Sequence, residues 1–153
     1  MMRLWEFIGE YRDPVVYHGS TTSDIKRLEP SESKLTSVPV VFAAILDDVA
    51  IAMAGGWSDD DFEFGRMGQE TDGYFTDYQF TEKKPGAFLQ FFSQSIFLYL
   101  LPSEGFSTIE GLQDFELVSE SPVEPISFLE ITQPLTVLKQ SKFIKLVEFN
   151  PSV

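Results

Sequence analysis

Short apolar runs separated by polar turns follow one another along the chain, and this pattern predicts more strands than helices. Runs that are rich in β-branched or aromatic residues, or that alternate apolar and polar positions, are typical of strands. Seven segments have this character: 15–18, 38–43, 88–92, 96–101, 115–118, 126–131 and 143–149. The stretch 57–87 is rich in Gly, Asp and Phe, and it predicts a loop with one hairpin near 74–81.

Two further segments predict helices. The first, 46–54, has two aspartates in its first turn, where carboxylates stabilise the helix dipole, and a glycine pair at its end. The second is a single turn at 23–28, with a serine cap and with Pro30 after it. With about six to eight strands and so few helices, residues 1–153 are expected to form one α+β domain with a mixed, mostly antiparallel sheet.

The composition excludes several kinds of chemistry. The 153 residues include no Cys and one His, which excludes a disulfide scaffold, thiolate metal sites and multi-histidine zinc sites. The 11 basic and 24 acidic residues give a formal charge of −13, which argues against a broad nucleic-acid surface because such surfaces concentrate Lys and Arg. An enzyme of this composition would work with carboxylates, hydroxyls, one imidazole and its backbone.

The hydropathy of the chain predicts neither a signal peptide nor a membrane span. The first 13 residues lack a long apolar segment and include Glu6 and Glu10. The longest apolar run, 95–101, is far shorter than the ~20 residues that cross a bilayer as a helix. We therefore expect a cytoplasmic protein that has no membrane partner.

The only histidine lies in the one local motif that suggests a specific chemistry. His18 ends a predicted strand and is followed at once by Gly19 and Ser20, in the sequence Tyr17-His18-Gly19-Ser20. Taken alone, these residues have an ordinary structural explanation, in which the glycine makes a turn after a strand. Their functional interest depends on two later segments of the chain.

These later segments complete a pattern. Phe42 and Ala43 end a predicted strand that leads directly into the 46–54 helix, and Glu116 opens a late strand of alternating apolar residues. In this order the three segments resemble the ADP-ribosyltransferase superfamily, in the His-Tyr-Glu branch that includes diphtheria toxin and the poly(ADP-ribose) polymerases. The resemblance covers most of the chain and implies the split sheet of an ADP-ribosyltransferase-like fold.

The resemblance also implies an activity on NAD, either ADP-ribosyl transfer to an unknown acceptor or NAD hydrolysis. Such reactions break the nicotinamide–ribose bond through an oxocarbenium-like state, which a carboxylate stabilises. The matching catalytic carboxylate here is Glu116, and Glu120 is the alternative if the register differs. By the same resemblance, His18 binds and orients NAD, and the backbone of Gly19 reaches the nicotinamide carboxamide, which a side chain would obstruct.

The remaining contacts with NAD are assigned in the same way. Ser20 would add a hydroxyl contact, and Phe42 with Ala43 would form part of the binding site. NAD carries a pyrophosphate, so a nearby positive charge is expected, and Lys26 or Arg27 on the short predicted helix is the candidate. The alternative for both bases is solvated surface charge.

The nicotinamide-stacking tyrosines of the family are absent from this chain. Family members usually place a Tyr immediately before the Phe-Ala pair and often a second one in the following helix, so that two rings enclose the nicotinamide. Val41 occupies the first of these places. Phe42, Trp57 and Tyr74 are the candidates for a substitute ring.

The charge distribution supports a different function. Residues 44–82 carry ten acids and one base, and residues 104–130 carry seven acids and no base. The alternative is therefore a catalytically inactive acidic interaction module on the same fold, which binds a basic protein partner. The acidic run 59–63 lacks the spacing of an EF-hand loop, so we interpret it as a solvated loop and predict no metal site. Six phenylalanines are predicted to be core residues: Phe80, Phe88, Phe91, Phe92, Phe97 and Phe106.

Overall fold

The computed structural model describes residues 15–33, 36–66, 78–109 and 115–151. Within these ranges the chain forms eight strands and three helices, which confirms the predicted α+β class. The strands are β1 (Val15–Ser20), β2 (Val41–Ala44), β3 (Phe62–Arg66), β4 (Tyr78–Glu82), β5 (Ile96–Pro102), β6 (Glu116–Ser119), β7 (Ser127–Ile131) and β8 (Ile144–Val147). The helices are α1 (Asp47–Met53), α2 (Ala87–Phe92) and α3 (Pro134–Lys139). No helix in this part of the chain has the length and apolarity needed to span a membrane.

The larger sheet has five antiparallel strands in the order β6-β2-β1-β5-β7. β1 lies at its centre and pairs with β5 along all six of its residues. On its other side β1 pairs with β2 at one position, where Tyr17 lies opposite Ala44. The two strands therefore separate beyond Tyr17, and the end of β1 that carries the histidine motif borders the gap.

The smaller sheet has the order β3-β4-β8, with one antiparallel and one parallel pair of strands. Its middle strand contributes Phe80, which is fully buried and whose ring centroid lies 4.5 Å from that of Phe62. The ring of Phe80 also contacts Trp57 at 5.3 Å and Phe88 of α2 at 5.4 Å. This aromatic packing holds α2 and the loop after α1 against the smaller sheet.

The predicted phenylalanine core is confirmed. Phe80, Phe88 and Phe92 are buried. The other three pack, partly buried, against one of the two apolar clusters that form the core: Phe91, Phe97 and Phe106. Buried aromatic rings contribute strongly to this core, because each ring removes a large apolar area from water.

The prediction of a strand at 88–92 is wrong, because these residues lie in α2. Ala87, Phe88 and Phe92 are buried, whereas Leu89 is 65% exposed. This spacing puts the buried side chains on one face of a helix. The backbone N–H of Phe88 donates to Oε2 of Glu82 at 2.8 Å, so a carboxylate meets one of the amides that have no partner inside the helix.

The predicted helical turn at 23–28 is also wrong, because tertiary contacts take up its backbone groups. The N–H of Ile25 donates to the hydroxyl of Tyr99 at 3.1 Å, and the N–H of Leu28 donates to the carbonyl of Val123 at 2.7 Å. The Tyr99 hydroxyl in turn donates to the carbonyl of Thr22 at 2.7 Å. The segment is therefore held in an irregular conformation across β5.

Most other predicted elements are confirmed, with shifts of a few residues at their ends. The helix predicted at 46–54 corresponds to α1, and the strands predicted at 96–101 and 126–131 correspond to β5 and β7. Of the hairpin expected near 74–81, residues 74–77 lie outside the described ranges. The remaining residues belong to β4, which pairs with β3. The sequence analysis missed β3 and α3, the second of which begins at a proline that is buried in the fold.

Candidate functional site

The gap between β1 and β2 is bridged by the histidine side chain. Nδ1 of His18 lies 2.8 Å from the carbonyl oxygen of Phe42. Because a carbonyl oxygen can only accept, Nδ1 carries the proton and donates it. The imidazole thus connects two strands at a level where their backbones no longer pair, and Nε2 is left as the acceptor nitrogen of the neutral ring.

A cleft of about 540 Å³ lies at this gap, which is within the usual range for small-molecule sites. Its walls come from the facing parts of β1, β2 and β6, from α1 and from the loop that follows α1. Five residues that the sequence analysis assigned to an NAD site line this cleft: His18, Gly19, Phe42, Ala43 and Glu116. The structure therefore brings together residues from three distant segments of the chain.

Glu116 reaches the cleft because of the strand register. It is the first residue of β6 and lies opposite Ala44, which itself lies opposite Tyr17 of β1. Glu116 is half-buried, and its Oε2 atom is buried. The preceding residue, Phe115, is anchored by edge-on ring contacts with Tyr78 at 5.2 Å, which fixes the start of β6. A carboxylate is thus held at the wall of the cleft.

Burial lowers the pKa of His18 below its ordinary value of 6.5, and the hydrogen bond to Phe42 opposes this shift without cancelling it. Desolvation disfavours the charged imidazolium, so the neutral ring is the stable form in the folded protein. The unfolded chain binds a proton at about pH 6.5, where the folded state does not. The contribution of His18 to stability is therefore complete above pH 6.5 and is lost as the pH falls toward the folded-state pKa.

This shift can be measured directly, because the chain has one histidine. We expect an NMR titration of the imidazole C–H signals in the folded protein to give a midpoint below 6.5, and unfolding in urea to return it to about 6.5. A midpoint at or above 6.5 in the folded state would contradict the buried, neutral imidazole.

Packing requires glycine at position 19, whatever the cleft binds. A Cβ atom at this position would overlap the carbonyl oxygen of Ala50 and would lie 2.6 Å from Cβ of Ala54. Ala50 belongs to α1, and Ala54 follows it directly, so the helix lies against β1 at this point. This close approach of the helix is a separate reason for glycine here, and the contact of the Gly19 backbone with a nicotinamide carboxamide stays a prediction.

Two of the three candidates for a substitute aromatic ring line the cleft. These are Phe42 and Trp57, and the third, Tyr74, lies outside the described ranges. The indole N–H of Trp57 donates to the carbonyl of Ala52 at 2.7 Å, which fixes the ring at the end of α1. Val41 is buried in the apolar cluster that contains Val16 and Tyr99, so a ring at that position would not face the cleft.

Part of the cleft wall was not predicted from the sequence. Tyr17 and Phe115 also line it, as does Met53 near the end of α1. Tyr17 and Phe115 each stand directly beside a predicted site residue, and this adjacency was the available signal. The missed side chains are large and largely apolar, so the cleft combines an apolar wall with one imidazole and one carboxylate.

Two predicted contacts lie away from the residues that line the cleft. The hydroxyl oxygen of Ser20 accepts the backbone N–H of Thr22 at 3.0 Å, and so it stabilises the local turn. Arg27 forms an exposed ion pair with Glu29 at 2.9 Å, and Lys26 forms one with Asp24 at 3.0 Å. These two bases therefore correspond to the surface-charge alternative, and no short helix is present to aim them at a dinucleotide.

A second cavity of about 250 Å³ adjoins the cleft. It shares Trp57, Phe115 and Glu116 with the cleft, so the carboxylate stands between the two spaces. Lys83 and Asp59 line its other side, where the ammonium group of Lys83 donates to the carbonyl oxygen of Asp59 at 2.6 Å. Nothing in the sequence pattern predicted this second cavity.

Within the acidic run 59–63, the carboxylate of Asp61 takes part in local interactions. Oδ2 of Asp61 accepts the backbone N–H of Ser58 at 2.9 Å, and Oδ1 lies 3.3 Å from Nζ of Lys84. The hydrogen bond from the Ser58 backbone is the largest of the effects that lower the pKa of Asp61. Across the described ranges, no group of three or more acidic or histidine side chains is placed to hold a metal ion.

Comparison with protein-family models, with curated proteins and with solved structures finds no significant match for this chain. The fold is therefore defined by its own topology, an α+β arrangement with a five-stranded antiparallel sheet and a three-stranded mixed sheet. The residues of the cleft are the basis for a functional proposal.

Proposed function

We propose that the cleft binds NAD and that the protein is an ADP-ribosyltransferase or NAD glycohydrolase of the His-Tyr-Glu type. The observation that supports this proposal is that His18, Phe42 and Glu116 line one cleft although they are far apart in the sequence. The cleft and the adjoining cavity, about 540 and 250 Å³, together have the size of a site for a large cofactor.

Each group at the cleft has a role in this proposal. The nicotinamide ring stacks on an aromatic wall formed by Phe42 and Trp57. Nε2 of His18, the acceptor nitrogen, takes a hydrogen bond from a ribose hydroxyl. Glu116 stands between the two spaces, so the reacting ribose carbon lies beside its carboxylate and the nucleophile approaches from the smaller cavity.

The reaction breaks the bond between C1′ of the ribose and the nicotinamide nitrogen. The bonding electrons leave with nicotinamide, which departs as a neutral molecule, and C1′ acquires the positive charge of an oxocarbenium-like state. The carboxylate of Glu116 stabilises this charge and holds the 2′-hydroxyl. Water, or the nucleophilic group of an acceptor, then bonds to C1′ and releases its proton to solvent.

Calorimetric titration with NAD tests the binding step. We expect saturable binding to the folded protein, and about tenfold weaker binding for His18→Ala because one hydrogen bond to the ribose is lost. Ser20→Ala is the control, because this neighbouring hydroxyl lies outside the cleft lining and its removal should leave binding unchanged. A folded protein that shows no saturable binding up to millimolar NAD would refute the proposal.

The second candidate function is a protein-interaction module with a basic partner, and one observation favours it. β7 is an edge strand on which Leu129 is 55% exposed, beside Ile126, which is 61% exposed. Glu124 and Glu130 are exposed next to these apolar residues. An exposed apolar edge with acidic neighbours suits an extended segment that carries Lys or Arg.

A fluorescein-labelled peptide in which Lys and Val alternate tests this second function. We expect binding that weakens as salt is raised, and about tenfold weaker binding for Leu129→Asp. Leu89→Asp is the control, because Leu89 is an exposed leucine on a different element, at 65% against 55% for Leu129. Equal losses in the two variants, or binding that salt does not change, would contradict a β7 site.

A further inference from the structure

A separate groove lies away from the cleft, between α2, α3 and β8. Its volume is about 800 Å³. Apolar side chains contribute to its wall, among them Phe88, Leu135 and Leu146. Leu89, at its rim, is 65% exposed. None of the residues proposed for NAD lines this groove.

Three lysines define the chemistry of the groove. Lys139, Lys142 and Lys145 all line it, and all are exposed. None of them forms an ion pair with a residue of the described ranges. The other basic side chains described are engaged: Lys26 with Asp24, Arg27 with Glu29, Lys83 with the carbonyl of Asp59, and Lys84 with Asp61. Among the basic side chains that the structure describes, the uncommitted cations are thus concentrated at one place.

The acidic residues of the groove do not cancel these charges fully. Oε2 of Glu82 accepts the backbone N–H of Phe88 at 2.8 Å, and Oε1 accepts that of Phe149 at 2.9 Å. Glu82 is buried, and its carboxylate is committed to the backbone. Glu148 is the other acid that lines the groove, against three lysines. The exposed rim therefore favours an anionic ligand.

The backbone of β8 adds a second recognition feature. β8 is the edge strand of the three-stranded sheet, and it pairs with β4 on one side from Ile144 to Val147. No described strand pairs with its other side. An edge of this kind accepts an extended peptide through main-chain hydrogen bonds, while side-chain pockets beside it give specificity.

We propose that this groove binds an acidic segment of a partner protein, which adds to β8 as an extended strand. Its carboxylates pair with Lys139, Lys142 and Lys145, and its apolar side chains pack on the groove wall near Leu135 and Leu146. The charge complementarity selects an acidic partner, and the unpaired edge selects an extended peptide rather than a compact ligand. This site is independent of the proposed activity on NAD.

The test uses a short fluorescein-labelled peptide in which Glu and Val alternate, with anisotropy as the measurement. We expect saturable binding that weakens with salt, and about tenfold weaker binding for the double variant Lys142→Glu/Lys145→Glu. The matched control is Lys26→Glu/Arg27→Glu, which changes the net charge by the same amount at exposed bases outside the groove. Circular dichroism verifies that both double variants are folded.

Hydrogen exchange identifies where the peptide lies. Binding is expected to slow the exchange of backbone amides in Ile144–Val147, because some of them acquire a main-chain acceptor. Two results would each overturn the proposal: equal affinity of the two double variants, or no change in exchange at β8 when the peptide binds. The second result has a more specific form, in which laurate also displaces the peptide. That form would assign the groove to a fatty acid. Equal binding of a Lys–Val peptide to the groove would also refute acidic selectivity.

Discussion

Replacing Glu116 with Gln is expected to slow the release of nicotinamide from NAD by at least about 100-fold, while NAD binding changes little. The amide has nearly the shape of the carboxylate, so the walls of the cleft remain in place. It lacks the negative charge, however, and charge stabilisation of the oxocarbenium-like state is the role proposed for this residue. Release of nicotinamide is measured by chromatography, and binding is measured by calorimetry on the same samples.

Glu120→Gln is the matched control for this experiment. Glu120 directly follows β6, is exposed, and does not line the cleft. Its replacement removes the same charge from the same part of the chain and should leave turnover unchanged. If the two variants lose activity equally, or if only Glu120→Gln loses it, the assignment of Glu116 is wrong. If Glu116→Gln retains full turnover, the carboxylate has no part in the reaction.

Replacing Gly19 with Ala is expected to lower the free energy of unfolding by about 3 kcal/mol. The added methyl group would overlap the Ala50 carbonyl, which belongs to the backbone and cannot rotate away. Either α1 or the end of β1 must shift, and both form walls of the cleft. We therefore expect a loss of NAD affinity together with the loss of stability, measured by urea unfolding and by titration.

Gly65→Ala provides the comparison for this steric argument. Gly65 also lies in a strand, and a Cβ atom there would have no neighbour within 4 Å. Its replacement is expected to change the free energy of unfolding by less than about 1 kcal/mol. Equal destabilisation by the two alanines would show that the close approach of α1 to β1 is not the cause.

The cleft exists because of two local features of the larger sheet. β1 and β2 pair opposite each other at Tyr17 and Ala44, and the His18 side chain then bridges the strands by its bond to the Phe42 carbonyl. The absence of a side chain at Gly19 lets α1 lie against β1 and close one side of the space. The same residues thus determine both the packing of the sheet and the shape of the cleft.

Local patterns in the sequence predicted the strands whose residues favour extended structure on their own. β5 and β7 are examples, because their apolar runs are bounded by polar turns. The strand prediction for 88–92 failed because a short apolar run fits a buried helix equally well. In the structure, Glu82 accepts a backbone N–H in the first turn of this helix. The turn at 23–28 failed because its backbone bonds to Tyr99 and Val123, which are distant in sequence.

A regular spacing of basic residues also precedes the end of the printed sequence. Lys139, Lys142 and Lys145 recur at intervals of three residues near the end of the chain. This spacing alone does not define a surface, because the first lysine ends α3 and the last lies in β8. The contact of α3 with β8 in the tertiary structure brings them to one groove.

The sequence by itself determined the α+β class, the phenylalanine core, the exclusion of thiolate and multi-histidine metal chemistry, and the residues worth testing. These depend on composition and on patterns a few residues long. The tertiary structure decided that His18 and Glu116 share a cleft, that Arg27 lies outside its lining, and that the lysines form a groove. The reason is physical: these results depend on strand order and register, which arise from contacts between segments tens of residues apart.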